Sequence, residues 1–172
     1  VLDLNGDGVH TLSAEQGVLF DAQGNGHKIK TGWVDKHDGL LALDLNDDGK
    51  INSGAELLGE ATQLADGSRA KDGFQALAQY DLNHDGKIDV HDAIFTKLLV
   101  WVDANSDGES QSDELRSLVD VGVSAINLAA QTSTVVENGN TLGLIASYEM
   151  KDGSNHQIVD VWFGTAAKTQ IE

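Results

Sequence analysis

Residues 81–114 read DLNHDGKIDVHD-AIFTKLLVWV-DANSDGESQSDE, two acidic loops separated by an apolar run. Each loop opens on Asp-x-Asn-x-Asp-Gly and closes on an acid, Asp92 in one and Glu114 in the other. A hard cation needs six to eight oxygens on one point, and a loop with ligands at positions 1, 3, 5, 7, 9 and 12 and a bending glycine at 6 supplies them. In residues 103–114 these are Asp103, Asn105, Asp107, the Glu109 carbonyl, Gln111 and Glu114, with Gly108 at the bend. In residues 81–92 they are Asp81, Asn83, Asp85, the Lys87 carbonyl, Asp89 and Asp92. Calcium is the cation such a set fits.

The same signature occurs upstream with weaker endings. The loop from Asp44 has Asn46, Asp48, Gly49 and the Lys50 carbonyl, but its acid, Glu56, arrives one residue late. A bulge at Asn52–Gly54 would absorb the extra residue. The loop from Asp3 has Asn5, Asp7 and the Val9 carbonyl, but position 12 is Ala14. It needs a ligand from elsewhere, such as Glu15 or a distant acid. A worn copy, Asp21–Gly26, keeps one carboxylate and reads as an Asx-rich turn without an ion. Such a turn is also the alternative reading of the other loops. Asp103→Ala or Glu114→Ala is expected to do more harm than Asp3→Ala, because the fourth loop is complete and the first is not.

Between the loops the spacing of apolar residues predicts helices over Ala55–Leu64, Gly73–Tyr80, Ala93–Val102 and Glu114–Val121. A helix over Ala93–Val102 would be about 15 Å long and would put the third and fourth loops at its two ends. Beyond Val123 the pattern turns to strands: Ala125–Ala129, Thr141–Met150 and Gln157–Phe163, with a hairpin turn at Lys151–Asn155. Val18–Val34 reads as short strands with Trp33 a core anchor. The expected fold is α+β: EF-hand-like calcium loops and short helices over 1–122, then a small antiparallel sheet over 123–172, in one module.

Composition narrows the partners. A net charge of -17 on 172 residues repels nucleic acid and anionic lipid. No stretch is long and apolar enough to span a bilayer, so membrane insertion is not expected. Cysteine and proline are absent, which excludes disulfides and thiolate zinc sites and suits a secreted, ion-stabilised monomer. The six histidines show no zinc spacing.

The opening VLDLNGDGV, the segment TGWVDKHDGLLALDLNDDGKINSGAELLG and the two loops closed by Asp92 and Glu114 together resemble the self-processing module of FrpC-type RTX proteins. These are large calcium-dependent proteins that Gram-negative bacteria export, some as toxins. The resemblance runs to about Gly122. It implies that calcium, held at Asp81, Asp92, Asp103 and Glu114, folds the module and triggers autocatalytic cleavage of an Asp-Pro bond just before it. The aspartyl side chain would attack its own carbonyl, and the cyclic anhydride would pass to water or to a lysine amine, of the same or another protein, as an Asp–Lys isopeptide. That bond is expected upstream of Val1, so no residue of this chain is assigned a catalytic role. A purely structural calcium-stabilised module of a secreted adhesin or toxin is the alternative.

Overall fold

The computed structural model describes residues 1–165. In chain order the strands are β1 (Thr11–Leu12), β2 (Val18–Phe20), β3 (Ile29–Thr31), β4 (Trp33–Val34), β5 (Leu40–Ala42), β6 (Lys87–Asp89), β7 (Leu99–Trp101), β8 (Leu115–Ser117), β9 (Val123–Asn127), β10 (Gln131–Glu137), β11 (Asn140–Met150) and β12 (Asn155–Trp162). The one α-helix among the described residues is α1 (Gly73–Ala78). No helix among them is long and apolar enough to cross a membrane.

The long strand β11 organises the largest sheet. Its first part pairs with β10 and its last residues with β9, while β12 runs antiparallel along the opposite edge. Strand β6, the tail of the third loop, extends the sheet beyond β9 through Ile88↔Ile126. A second sheet has the order β5-β7-β8. The opening residues join both halves of the molecule, since Leu2 bridges Gly39 on one side and Ile158 on the other. One core cluster gathers Leu2, Phe74, Ile88, Val100, Tyr148 and Ile158; a second gathers Phe20, Trp33, Leu40, Ile51 and Trp101.

The fold is therefore β-rich, and the expected α+β architecture with EF-hand helices is not what forms. Of the four expected helices only Gly73–Tyr80 appears, as α1. Asp72 caps it by accepting the Gln75 N–H at 2.8 Å, and Phe74, Ala76 and Leu77 are buried on it. Ala93–Val102 splits into one tight 3-10 turn, Ala93–Thr96, and strand β7. Phe95, Thr96, Val100, Trp101 and Val102 are β-branched or aromatic and favour a pleated surface. A short apolar run with both faces buried cannot be told from a helix by periodicity. Here β7 is the central strand of its sheet, with Val100 and Trp101 fully buried. Glu114–Val121 gives the edge strand β8. Ala55–Leu64 keeps a single turn at Gly54–Glu56 and then lies beside β5, Leu58 donating to the Leu41 carbonyl at 3.3 Å. Each of the last three loops thus leaves through one tight turn. The third and fourth share no helix.

The C-terminal strands fall where the alternation placed them, within two residues. Strand β10 was not expected; its outward residues, such as Val135 and Val136, are exposed and give little alternation. The end of the expected strand region, 166–172, lies outside the described residues.

Candidate metal centres

All five Asp-containing loops share one backbone shape. The sixth residue is a glycine in the left-handed region each time, at Gly8, Gly26, Gly49, Gly86 and Gly108 (φ 71 to 94°). The fourth residue is left-handed too: Gly6 and Gly24, but also Asp47, His84 and Ser106 (φ 53 to 60°), where a side chain makes that costly. The opening aspartate holds the bend. One oxygen of Asp3, Asp44, Asp81 and Asp103 accepts the N–H of the sixth-position glycine at 2.8 to 2.9 Å. In the last three loops the other oxygen takes only a long bond, 3.2 to 3.3 Å, from the fifth residue. One oxygen is thus anchored by the loop and the other faces the neighbouring acids.

Four groups of three carboxylates result, each with ligand atoms within 4.8 Å of one another: Asp3, Asp7 and Asp38; Asp44, Asp48 and Glu56; Asp81, Asp85 and Asp92; Asp103, Asp107 and Glu114. In every group the middle acid is exposed and the closing acid is buried. The side chains of Asn5, Asn46, Asn83 and Asn105 stand exposed at the rims. Asn83 and Asn105 donate to Asp85 and Asp107 at 3.3 and 3.1 Å, leaving their carbonyl oxygens free to ligate. Val9, Lys50, Lys87 and Glu109 follow the bends, placed to offer main-chain carbonyls. Asp89 is not in the three-acid group of its loop; its carboxylate receives the His91 N–H at 2.9 Å. Gln111 donates to Asp107 at 3.0 Å.

The acid that joins Asp3 and Asp7 of the first loop is Asp38. It sits 34 residues from Leu4 and is buried. It accepts the N–H groups of Leu4 and His10 at 3.4 and 2.9 Å. Asp92 does the same in the third loop, accepting from Leu82 and Asp89 at 3.1 Å each. Glu15, the nearer candidate, is exposed and outside the group. In the second loop the segment 52–56 folds back on itself. Gly54 turns away to donate to the Asp21 carbonyl at 2.7 Å, and Glu56 reaches back to the Asn52 N–H at 3.0 Å. The worn loop keeps the bend, Asp21 accepting from Asn25 and Gly26. It belongs to no group of three acids.

These centres are built for a charge that balances them. Burial, the largest cause in each case, pushes the Asp38 carboxyl up to about 6 and raises those of Glu56 and Asp103. Glu56 Oε1 is buried with no hydrogen-bond partner, the one such side-chain atom among the described residues. An unpaired buried carboxylate oxygen is costly, and it lies in the group where a cation would satisfy it. The donors are hard oxygens without histidine or cysteine, a set suited to a hard divalent cation. These groups can hold a metal ion.

The fourth centre has two further partners, Trp33, expected only as a core anchor, and Trp101. Trp33 Nε1 donates to Asp103 Oδ2 at 2.7 Å, and Trp101 Nε1 to Glu114 Oε1 at 3.3 Å. The two indoles meet edge to face at 5.4 Å. Gly108 is correspondingly crowded: a Cβ there would come within 2.8 Å of Val18, whereas one on Gly49 would meet nothing. Both glycines are left-handed, which costs a side chain about 1–2 kcal/mol. Gly49→Ala is expected to lower stability by about that much, and Gly108→Ala by about 1–3 kcal/mol more from overpacking. Thermal denaturation of the two variants checks the difference.

The SPM domain family matches residues 1–164. The chain is 47% identical over 163 residues to the iron-regulated protein FrpA of Neisseria meningitidis serogroup C. That match takes in 93% of this chain but only 15% of the relative. With a family match over nearly its whole length, this chain belongs to the SPM domain family.

Proposed function

We propose that this chain is a calcium-binding module of a secreted RTX-type protein, which folds on calcium and promotes cleavage of an Asp-Pro bond upstream of Val1. The observation that carries the reading is the set of four carboxylate triads, each closed by a buried acid. Asp3, Asn5, Asp7, the Val9 carbonyl and Asp38 would hold one ion; the sets opened by Asp44, Asp81 and Asp103 would hold the others. Calcium accepts irregular, oxygen-rich shells, whereas magnesium demands a strict octahedron and sheds water reluctantly. Outside the cell calcium is abundant, so export and folding would be coupled.

The first residues support the second half of the reading. The Val1 carbonyl accepts the Val159 N–H at 2.8 Å, and Leu2 exchanges two backbone hydrogen bonds with Gly39. The segment is thus clamped between β12 and the turn before β5. Its next residue, Asp3, opens the first centre. A bond close ahead of Val1 would leave a rigid anchor, which favours intramolecular attack. The aspartyl carboxylate oxygen would add to its own main-chain carbonyl. The C–N bond breaks, and the proline nitrogen takes a proton from water and leaves as a secondary amine. Water then opens the anhydride to a free aspartate, or a lysine amine opens it to an isopeptide.

A chain extended upstream to include Asp-Pro, given millimolar calcium, is expected to yield two fragments on a gel and to stay whole with chelator. An extended chain that folds on calcium yet stays intact would leave a purely structural module.

A further inference from the structure

The four centres are alike in their loops and unlike in what lies behind them. The opening and closing acids of the second centre, Asp44 and Glu56, and of the third, Asp81 and Asp92, receive backbone donors alone. Behind the fourth lies an aromatic cluster. Trp33 packs on Phe20, Trp101 and Phe163 with ring centroids 5.0, 5.4 and 5.9 Å away. Asp103 is fully buried and Glu114 nearly so. We infer that Trp33 and Trp101 are positioning residues of the fourth cation centre, setting its affinity through their indole N–H groups and tying it to the aromatic core.

The two oxygens of each carboxylate have different partners. Asp103 Oδ2 already accepts from Gly108 N–H at 2.9 Å, and Trp33 adds a second donor to that same oxygen. The carboxylate plane is therefore held from two directions. Its other oxygen, with one long bond from Asp107 at 3.2 Å, is the one turned to the cation. Trp101 donates to Glu114 Oε1, which also takes the Gln111 N–H at 3.2 Å. Glu114 Oε2 is left for the metal. Donors behind a ligand fix its orientation before the ion arrives, and removing them costs about 10–100-fold in metal affinity. The tie also runs outward, because Trp33 and Val1 line the same cavity of about 320 Å³.

This inference rests on calcium binding as proposed above, and its test separates the two. Trp33→Phe and Trp101→Phe keep an aromatic ring and delete the donor. Calorimetric calcium titration is expected to show one centre weakened at least tenfold in each, with the other centres unchanged. Trp162→Phe is the control, since its indole N–H reaches Glu60, outside the four centres. In the unaltered chain, kept folded throughout, exchange of bound calcium for strontium should shift the indole N–H resonances of Trp33 and Trp101, whose acceptors ligate the ion, and leave that of Trp162 in place. The resonances decide the matter if the variants do not fold. Unchanged affinities in folded variants, or unmoved Trp33 and Trp101 resonances, overturn the positioning role. An unaltered chain that takes up no calcium overturns the metal reading itself.

Discussion

Chelating calcium at neutral pH is expected to abolish the fold of this chain, and restoring it to bring the fold back. A net charge of -17 works against any compact state. Folding also buries Asp3, Asp38, Glu56, Asp81, Asp92, Asp103 and Glu114, and buried carboxylates without counter-charge are strongly unfavourable. Free calcium at about 100 times Kd stabilises the folded state by about 2.7 kcal/mol per independent site. Four sites then supply on the order of 11 kcal/mol, the size of a whole domain's stability. Circular dichroism and tryptophan fluorescence should both report the loss, and magnesium should restore little. Spectra unchanged by chelation would contradict the expectation. The ion-free chain should also regain structure on acidification. Asp38 has a folded-state pKa of about 6 against an ordinary 3.8. Between those values the folded state binds more protons than the unfolded one, so stability falls as pH rises through the window. Burial raises Glu56 and Asp103 in the same direction. With calcium bound the dependence should reverse, because protons then compete with the ion.

The loops were legible because their information is local. Six residues dictate the bend, and the glycine and opening aspartate announce it. Even the late Glu56 could be placed, since a bulge changes a count by one. Asp38 could not be found by spacing, because its partnership with Asp3 is made by β-bridging of Leu2 to Gly39. The pattern said only that a ligand from elsewhere was required, from Glu15 or a distant acid. The helices were misread for a different reason. A familiar loop suggests helices on either side, yet Val100-Trp101-Val102 carries its own preference for a strand. Pairing of β7 with both β5 and β8 then decides it. Trp33 is in the core, as expected, and Trp101 is buried beside it. Their second role depends on where two indole nitrogens point, which no sequence pattern encodes.

Asp103→Ala is expected to be the most damaging single change among the loop aspartates. It removes one centre, worth about 2.7 kcal/mol at 100-fold excess of calcium. It also strands the Trp33 indole N–H inside the aromatic core, a buried donor without a partner, at about 1–3 kcal/mol. The Gly108 N–H loses its acceptor at the same buried bend. The expected loss is about 4–6 kcal/mol, which for a chain this size lowers Tm by roughly 10–20 °C. Asp44→Ala should cost about half as much, because Asp44 is only half-buried and water can take over the two backbone donors it leaves, on exposed Asp48 and Gly49. Asp3→Ala falls between them, and for a reason the sequence did not supply. Its centre is completed by Asp38, and its buried carboxylate anchors the N–H groups of Gly6 and Gly8 at 2.9 Å, but no indole depends on it. Thermal melts of the three variants in saturating calcium should give that order. If Asp44→Ala proved as harmful as Asp103→Ala, the difference in what stands behind the loops would not be what sets their worth.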